Sequence, residues 1–116
     1  MVIVSMVEQQ RLGLSLGAAD YLIKPVDRIK FLARVQLLAP PTKKPPPRVL
    51  VVDDEAQAVE LAAALLEPAG YQVLKAYGGQ EGINLALSQR PDLMVLDLMM
   101  PEVSGFEVVR TLRAEP

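Results

Sequence analysis

Apolar and polar residues in the second half of the chain alternate between two kinds of segment. Residues 49–52 form a short, continuous, valine-rich run, which is typical of a strand buried on both faces. Residues 55–67 carry apolar side chains at three-to-four spacing, which predicts a helix that Pro68 and Gly70 end. The same alternation then predicts a strand at 71–76, a helix at 80–89, a strand at 93–96 and a helix capped by Ser104. A β-α-β-α-β-α order indicates a parallel sheet covered by helices.

The first part of the chain repeats this alternation. The predicted elements are a strand at 2–4, a short helix at 8–16, a strand at 21–23 and a helix that Asp27 caps. Two strands alone would leave an apolar edge unpaired, so we do not expect this part to be stable in isolation. Together, the two parts supply five strands and five helices.

Helical spacing also predicts which apolar side chains face the core. In the four helices that begin near Asp27, Glu55, Gln80 and Ser104, the predicted core residues are Ile29, Phe31, Leu32, Val35, Val59, Ala62, Ala63, Leu66, Ile83, Leu87, Val108, Val109 and Leu112.

A proline-rich stretch separates the two parts. Its sequence, APPTKKPPPR, covers residues 39–48, and prolines cannot donate backbone hydrogen bonds and favour an extended polyproline conformation. We therefore predict a semi-rigid linker over residues 39–47, between a first part at 1–38 and a second part at 48–116.

Composition narrows the possible chemistry. The chain has 116 residues, 51% hydrophobic and 22% charged, as expected for about one globular domain. It has no cysteine and no histidine, so its chemistry must use carboxylates, lysine and hydroxyl groups. A net charge of −2 gives no reason to expect a nucleic-acid partner. No apolar run approaches a membrane span and no leader is recognisable, so we expect a cytoplasmic location and no membrane partner.

Polar side chains follow four of the predicted strands. Asp53 and Asp54 come directly after one strand and Asp97 after another, while Ser5 and Lys24 follow the two strands of the first part. Carboxyl ends of parallel strands line the crevice where ligands bind. Three converging carboxylates would repel one another without a cation, and hard oxygen ligands suit Mg²⁺. With a lysine and a hydroxyl added, such a pocket would stabilise a transferring phosphoryl group.

The motifs VLVVDDE, VLDLMMPEVSGFE, VIVS and GAADYLIKPVD resemble the receiver domain of two-component response regulators. The resemblance implies a flavodoxin-like α/β fold: a five-stranded parallel sheet with helices on both faces. It also implies the order of the strands across the sheet, which is 71–76, 49–52, 93–96, 2–5 and 21–23.

The resemblance further implies a role for each matching residue. Asp97 would be the phosphoacceptor, and Ser5 and Lys24 would contact the phosphoryl group. Asp53 and Asp54 would bind Mg²⁺ together with Asp97 and the backbone carbonyl of Met99. Tyr21 would be the aromatic residue that reorients, with Ser5, on activation.

The function implied is a phosphoacceptor module, not an enzyme, which takes a phosphoryl group from the phosphohistidine of a histidine kinase or phosphotransfer protein. Two alternatives stay open. One is an interaction or dimerisation module that does not depend on phosphorylation. The other is a Mg²⁺-dependent aspartyl phosphatase, although such enzymes usually have a second acid two residues after the nucleophile, where this chain has Met99.

The order of the motifs departs from the family. Receivers run from the acidic pair through the phosphoacceptor and hydroxyl to the lysine, whereas Ser5 and Lys24 come first here. We favour the tail of one receiver joined to the head of the next, as in multi-receiver hybrid sensor histidine kinases, over a circular permutation. The parts could assemble within one chain or in a domain-swapped homodimer.

Overall fold

The fold is that of a computed structural model, which describes residues 2–7, 20–23, 27–41, 45–97, 100 and 102–114. The helix predicted at 8–16 lies outside them. The strands are β1 (Val2–Val7), β2 (Asp20–Ile23), β3 (Arg48–Val52), β4 (Gln72–Ala76) and β5 (Leu93–Asp97). The helices are α1 (Arg28–Leu38), α2 (Ala56–Leu66), α3 (Gly79–Gln89) and α4 (Gly105–Ala114).

The five strands form one parallel sheet in the order β2-β1-β5-β3-β4. This is the order that the resemblance implies. The central strand, β5, is buried along its whole length, as its continuous apolar sequence predicts. Because β5 lies between β1 and β3, it joins the two parts of the chain into one sheet.

Helices cover both faces of the sheet, and each face has its own apolar core. Successive side chains of a strand point to opposite faces, so β1 contributes Ile3 to one core and Val4 to the other. The helices that pack on the Ile3 face are α3 and α4, and those on the Val4 face are α1 and α2. This arrangement confirms the predicted α/β fold.

Strand β1, from the first part of the chain, pairs with strand β5, from the second part. Val2 pairs with Leu93, and the register continues to Met6 and Asp97. At the start of this ladder the Val2 N–H donates to the carbonyl of Asp92 at 3.2 Å, and the Asp92 side chain accepts the Arg48 N–H at 2.8 Å. Asp92 therefore connects the beginnings of β1 and β3.

Both ends of the proline-rich segment are attached to the second part of the chain. The buried Tyr71 hydroxyl donates to the carbonyl of Ala39 at 2.5 Å, and the Gln72 N–H donates to the carbonyl of Pro47 at 3.0 Å. Ala39 and Pro47, which the sequence places in the linker, are both buried. Because Tyr71 and Gln72 are consecutive, the segment leaves and rejoins the fold at one place.

The turn before Tyr71 also contacts this segment. Gly70 has φ = +102°, a conformation that side chains other than glycine rarely adopt, and a Cβ there would lie 3.4 Å from the Cβ of Pro41. The turn that ends α2 thus lies beside the segment at Pro41.

The prediction of a core position is wrong for two residues, Ile29 and Leu87. Ile29 is 80% exposed, because α1 buries Phe31 and Val35, and a residue two positions earlier lies on the other side of the helix. Leu87 is 38% exposed, because α3 buries the side that carries Gly79, Gly82, Ile83 and Ala86, and Gly82 lies directly against Val52 of β3. Leu87 lies at the edge of that face.

Both predicted side-chain caps are confirmed. The Asp27 carboxylate accepts the N–H groups of Ile29 and Lys30 at 2.7 and 3.3 Å at the start of α1. The Ser104 hydroxyl accepts the Glu107 N–H at 3.3 Å at the start of α4. Each cap satisfies donors that the first helical turn leaves unpaired.

We expect Tyr71→Phe to destabilise the fold, because it removes the hydroxyl that holds the buried Ala39 carbonyl. The free energy of unfolding should fall by about 1–3 kcal/mol, measured by urea denaturation at neutral pH. Tyr77→Phe is the matched control: its hydroxyl donates to Glu60 at 2.6 Å on the surface, where water can replace the bond. Equal stabilities of the wild type and Tyr71→Phe would contradict a role for this bond.

The difference in stability between the wild type and Tyr71→Phe should also depend on pH. Burial raises the pKa of the Tyr71 hydroxyl, so the folded state holds this proton more tightly than the unfolded chain does. Its contribution is complete below the ordinary tyrosine pKa of about 10 and is lost as the pH rises through the folded-state value. The stability difference between the wild type and Tyr71→Phe should therefore shrink above about pH 10.

Candidate functional site

The candidate site lies at the carboxyl ends of β3 and β5. The last register pair between β3 and β5 is Val52 and Leu96; Asp53 comes directly after β3, and Asp97 is the last residue of β5. Parallel strands that end in register bring the next residues to the same edge of the sheet. The sheet therefore converts a sequence separation of more than forty residues into proximity.

Three carboxylates meet at this edge. One oxygen from each of Asp53, Asp54 and Asp97 lies within 4.8 Å of the others. Asp53 and Asp97 are only 2% and 3% exposed, whereas Asp54 faces solvent. Within the described ranges, this is the one group of three acidic side chains arranged closely enough to hold a metal ion.

The backbone around Asp53 fixes the direction of its side chain. Its carboxylate accepts the Glu55 N–H at 3.0 Å, while its own N–H donates to the Ala76 carbonyl at 3.2 Å. The first bond is an Asx turn, which lets an aspartate organise the two residues that follow it. Asp53 thus ends β3 and leads into α2 while its side chain stays at the edge of the sheet.

Electrostatics favours a cation among these groups. Two unit negative charges 4 Å apart repel by about 4 kcal/mol at an effective dielectric constant of 20. Two buried carboxylates and a third at the surface are therefore costly unless a positive charge lies between them. The donor set is all oxygen and partly open to water, which suits a hard divalent cation.

Ser5 is the second unusual group at this end of the sheet. Its side chain is completely buried, and among the described residues its hydroxyl has no hydrogen-bond partner. Leaving a buried hydroxyl unpaired costs about 1–3 kcal/mol, so such groups are rare and need an explanation. Ser5 is the register partner of Leu96, the residue before Asp97. The unpaired hydroxyl is thus on the strand next to the acidic group and near the same edge.

The remaining predicted site residues are described only in part or not at all. Tyr21 is the register partner of Ser5 in β2. Lys24 and Met99 lie outside the described residues. Of the seven predicted site residues, the structure brings the three aspartates together and places Ser5 on the adjoining strand.

A second group of charged side chains lies on the surface where β4 faces α2. Lys75 donates to Glu60 at 2.8 Å, and Tyr77 donates to the other oxygen of Glu60. These hydrogen bonds, that of Lys75 above all, lower the pKa of Glu60. Because Lys75 and Tyr77 both donate hydrogen bonds to Glu60, this cluster connects the end of β4 to α2 at the surface.

The sequence reasoning missed one contact near the site. The first residue of α3, Gly79, lies against the backbone of Val103, which is in the segment between Asp97 and α4. The spacing of apolar residues does not predict the contact between Gly79 and Val103, because glycine contributes no side chain to that pattern. The neighbouring pair Gly78-Gly79 before a predicted helix was the available hint.

Comparisons with known proteins agree with this geometry. The sequence profile of the response regulator receiver domain matches residues 49–116. Over 69 residues the chain is 45% identical to the DNA-binding dual master transcriptional regulator RpaA of Synechocystis, a match that covers 60% of this chain and 29% of that protein.

Solved structures give the same result. The N-terminal domain of a response regulator receiver protein from Methanoculleus marisnigri JR1 superposes with a TM-score of 0.59 at 33% identity, over 60% of this chain and 57% of that one. A probable two-component system response regulator/GGDEF domain protein matches with a TM-score of 0.55 at 25% identity, over 100% of this chain and 49% of that one.

The chain therefore spans less than a third of the RpaA sequence and about half of each of these solved chains. None of the helices in the described ranges is both long and apolar enough to cross a membrane. The profile match covers more than half of the residues, and it includes all three aspartates of the candidate site. The chain belongs to the family of response regulator receiver domains.

Proposed function

We propose that this chain is a phosphoacceptor module of two-component signalling, in which Asp97 takes a phosphoryl group from the phosphohistidine of a histidine kinase or phosphotransfer protein. The observation that carries the proposal is the meeting of three aspartates at the edge of the sheet where the neighbouring strand carries a buried hydroxyl with no partner among the described residues. The chain contains no histidine, so the donor lies outside these 116 residues.

The transfer is a displacement at phosphorus. A carboxylate oxygen of Asp97 attacks, a P–O bond forms, and the P–N bond to the donor imidazole breaks. The imidazole leaves with the electron pair of that bond, and a proton on its ring keeps it neutral. The product is an acyl phosphate on Asp97. Catalysis of such a step consists mainly of positioning and charge neutralisation.

The acidic group fits a divalent cation, and we assign it to Mg²⁺. Asp53, Asp54 and Asp97 would supply carboxylate oxygens, and the resemblance adds the backbone carbonyl of Met99. When bound, the ion would offset the negative charge of the phosphoryl oxygens and of the carboxylates that surround them. The nearly complete burial of Asp53 and Asp97 supports this assignment, because water alone cannot screen them.

Ser5 and Lys24 are assigned to the phosphoryl group itself. A buried hydroxyl without a partner gains a hydrogen bond when a phosphoryl oxygen arrives, so the Ser5 side chain can report phosphorylation to its neighbours. The register pairing of Ser5 with Tyr21 supports Tyr21 as the residue that receives this change in β2.

The same observation weighs against the two alternatives. An interaction module that does not use phosphorylation would have no use for the unpaired Ser5 hydroxyl at the edge that carries the aspartates. An aspartyl phosphatase would be expected to carry a second acid at the position of Met99. We therefore propose an acceptor that does not turn over external substrates.

We also propose that the two parts assemble within one chain. The support is the attachment of both linker ends to the consecutive residues Tyr71 and Gln72, which leaves only a short gap to span. A domain-swapped dimer would have to stretch the seven residues between Ala39 and Pro47 from one molecule to the other.

Phosphorylation can be tested by intact-mass measurement after incubation with acetyl phosphate and Mg²⁺. We expect the mass of one phosphoryl group to be added to the wild type and not to Asp97→Asn. Circular dichroism of both proteins should show the same folded state. An adduct that persists in Asp97→Asn, or a folded wild type without an adduct, would overturn the assignment of Asp97.

Metal binding can be tested by thermal denaturation with and without Mg²⁺. Without the ion, Asp54→Asn should melt at a higher temperature than the wild type, because one of three repelling charges is gone. Mg²⁺ should raise the melting temperature of the wild type more than that of Asp54→Asn. Glu55→Gln makes the same charge change one residue later, outside the acidic group, and should respond to Mg²⁺ as the wild type does. Identical responses of the two variants would refute the site.

Assembly within one chain can be tested with a disulfide across β1 and β5. Ile3 and Met94 are register partners whose side chains lie in the same core, and the chain has no native cysteine. After oxidative refolding and denaturation, Ile3→Cys/Met94→Cys should have the mass of a single chain less a pair of hydrogen atoms. A covalent dimer at low protein concentration would indicate exchange between chains. Each single-cysteine variant controls for random oxidation.

A further inference from the structure

The first turn of α3 touches the backbone of the segment that follows Asp97. A Cβ at Gly79 would overlap the carbonyl oxygen of Val103 and would lie 2.8 Å from the Val103 Cγ1. Cβ atoms in proteins essentially never come within 3.0 Å of such neighbours. Gly79 is buried, and Val103 occupies the space that a side chain at this position would need.

Val103 belongs to a short connection with several fixed points. Met100 is 7% exposed and lies in the core with Ile83. Glu102 has φ = +62°, and the Ser104 hydroxyl caps α4. The contact with Gly79 therefore lies between a buried side chain and a helix cap, which leave Val103 little freedom to move away from an added Cβ.

We propose that Gly79 is a positioning residue for the phosphorylation site: by leaving room for the Val103 carbonyl, it fixes the position of Val103 in the connection between Asp97 and α4, and with it the metal affinity of the acidic group. The inference rests on the proposed function of that group. Gly79 touches neither metal nor phosphoryl group, and acts only through Val103.

The preceding residue provides a matched control. A Cβ at Gly78 would have no neighbour within 4 Å, and Gly78 has an extended backbone with φ = −175°, which any residue adopts. Gly78→Ala and Gly79→Ala therefore add the same methyl group one residue apart. One methyl group enters open space and the other enters the segment that follows Asp97.

The experiment measures Mg²⁺ affinity by calorimetry, together with the rate of acyl phosphate formation, well below the melting temperature of each variant. We expect Gly79→Ala to weaken Mg²⁺ binding and slow phosphorylation by about tenfold or more, as a misplacement of about 1 Å can do. Gly78→Ala should change both by less than about twofold, since added atoms in open space disturb no contact. The backbone amide signals of Met100 and Val103 should shift in Gly79→Ala alone.

A merely structural role predicts another result. Gly79→Ala would then melt at a lower temperature but bind Mg²⁺ as the wild type does, and that outcome overturns the inference. If Gly79→Ala does not fold, Val103→Ala loosens the same contact from the other side, and it should weaken Mg²⁺ binding by a smaller factor. Unchanged affinity in Val103→Ala would then overturn it. A folded wild type that neither binds Mg²⁺ nor accepts a phosphoryl group refutes the proposed function instead.

Discussion

The pairing of β1 with β5 is the interaction on which the rest of the molecule depends. Before it forms, each part of the chain has an apolar strand with an unpaired edge, and unpaired edges of this kind invite aggregation. Once it forms, β5 lies in the centre of a five-stranded sheet, both of its faces are covered, and the Ser5 strand lies beside the Asp97 strand. The same ladder of hydrogen bonds thus completes the sheet and adds Ser5 to the edge where the three aspartates meet.

The elements and the acidic group could be predicted from the sequence because both depend on local signals. Continuous apolar runs marked the strands, and polar residues directly after them marked the edge where Asp53 and Asp97 meet. The errors at Ile29 and Leu87 have a common physical cause: apolar spacing defines a stripe on a helix, but packing against the sheet selects which side of that stripe is buried.

Two other features depend on contacts between distant residues, and the sequence could not show them. The Tyr71 hydroxyl binds the carbonyl of Ala39, and a backbone acceptor is present at every position, so no side-chain pattern reveals it. The approach of Gly79 to Val103 is likewise a contact with backbone. A glycine in the sequence indicates that another group comes close to the backbone, but it does not identify that group.

Hydrogen bonds from the consecutive residues Tyr71 and Gln72 hold Ala39 and Pro47, the two ends of the proline-rich segment. The entropy of closing a flexible loop grows only with the logarithm of its length, so each doubling costs about 0.6 kcal/mol. We therefore expect the segment between Ala39 and Pro47 to tolerate inserted residues. A whole folded domain with closely spaced termini could be placed there, and stretching of that domain would pull on Tyr71 and on strand β3, which leads to Asp53.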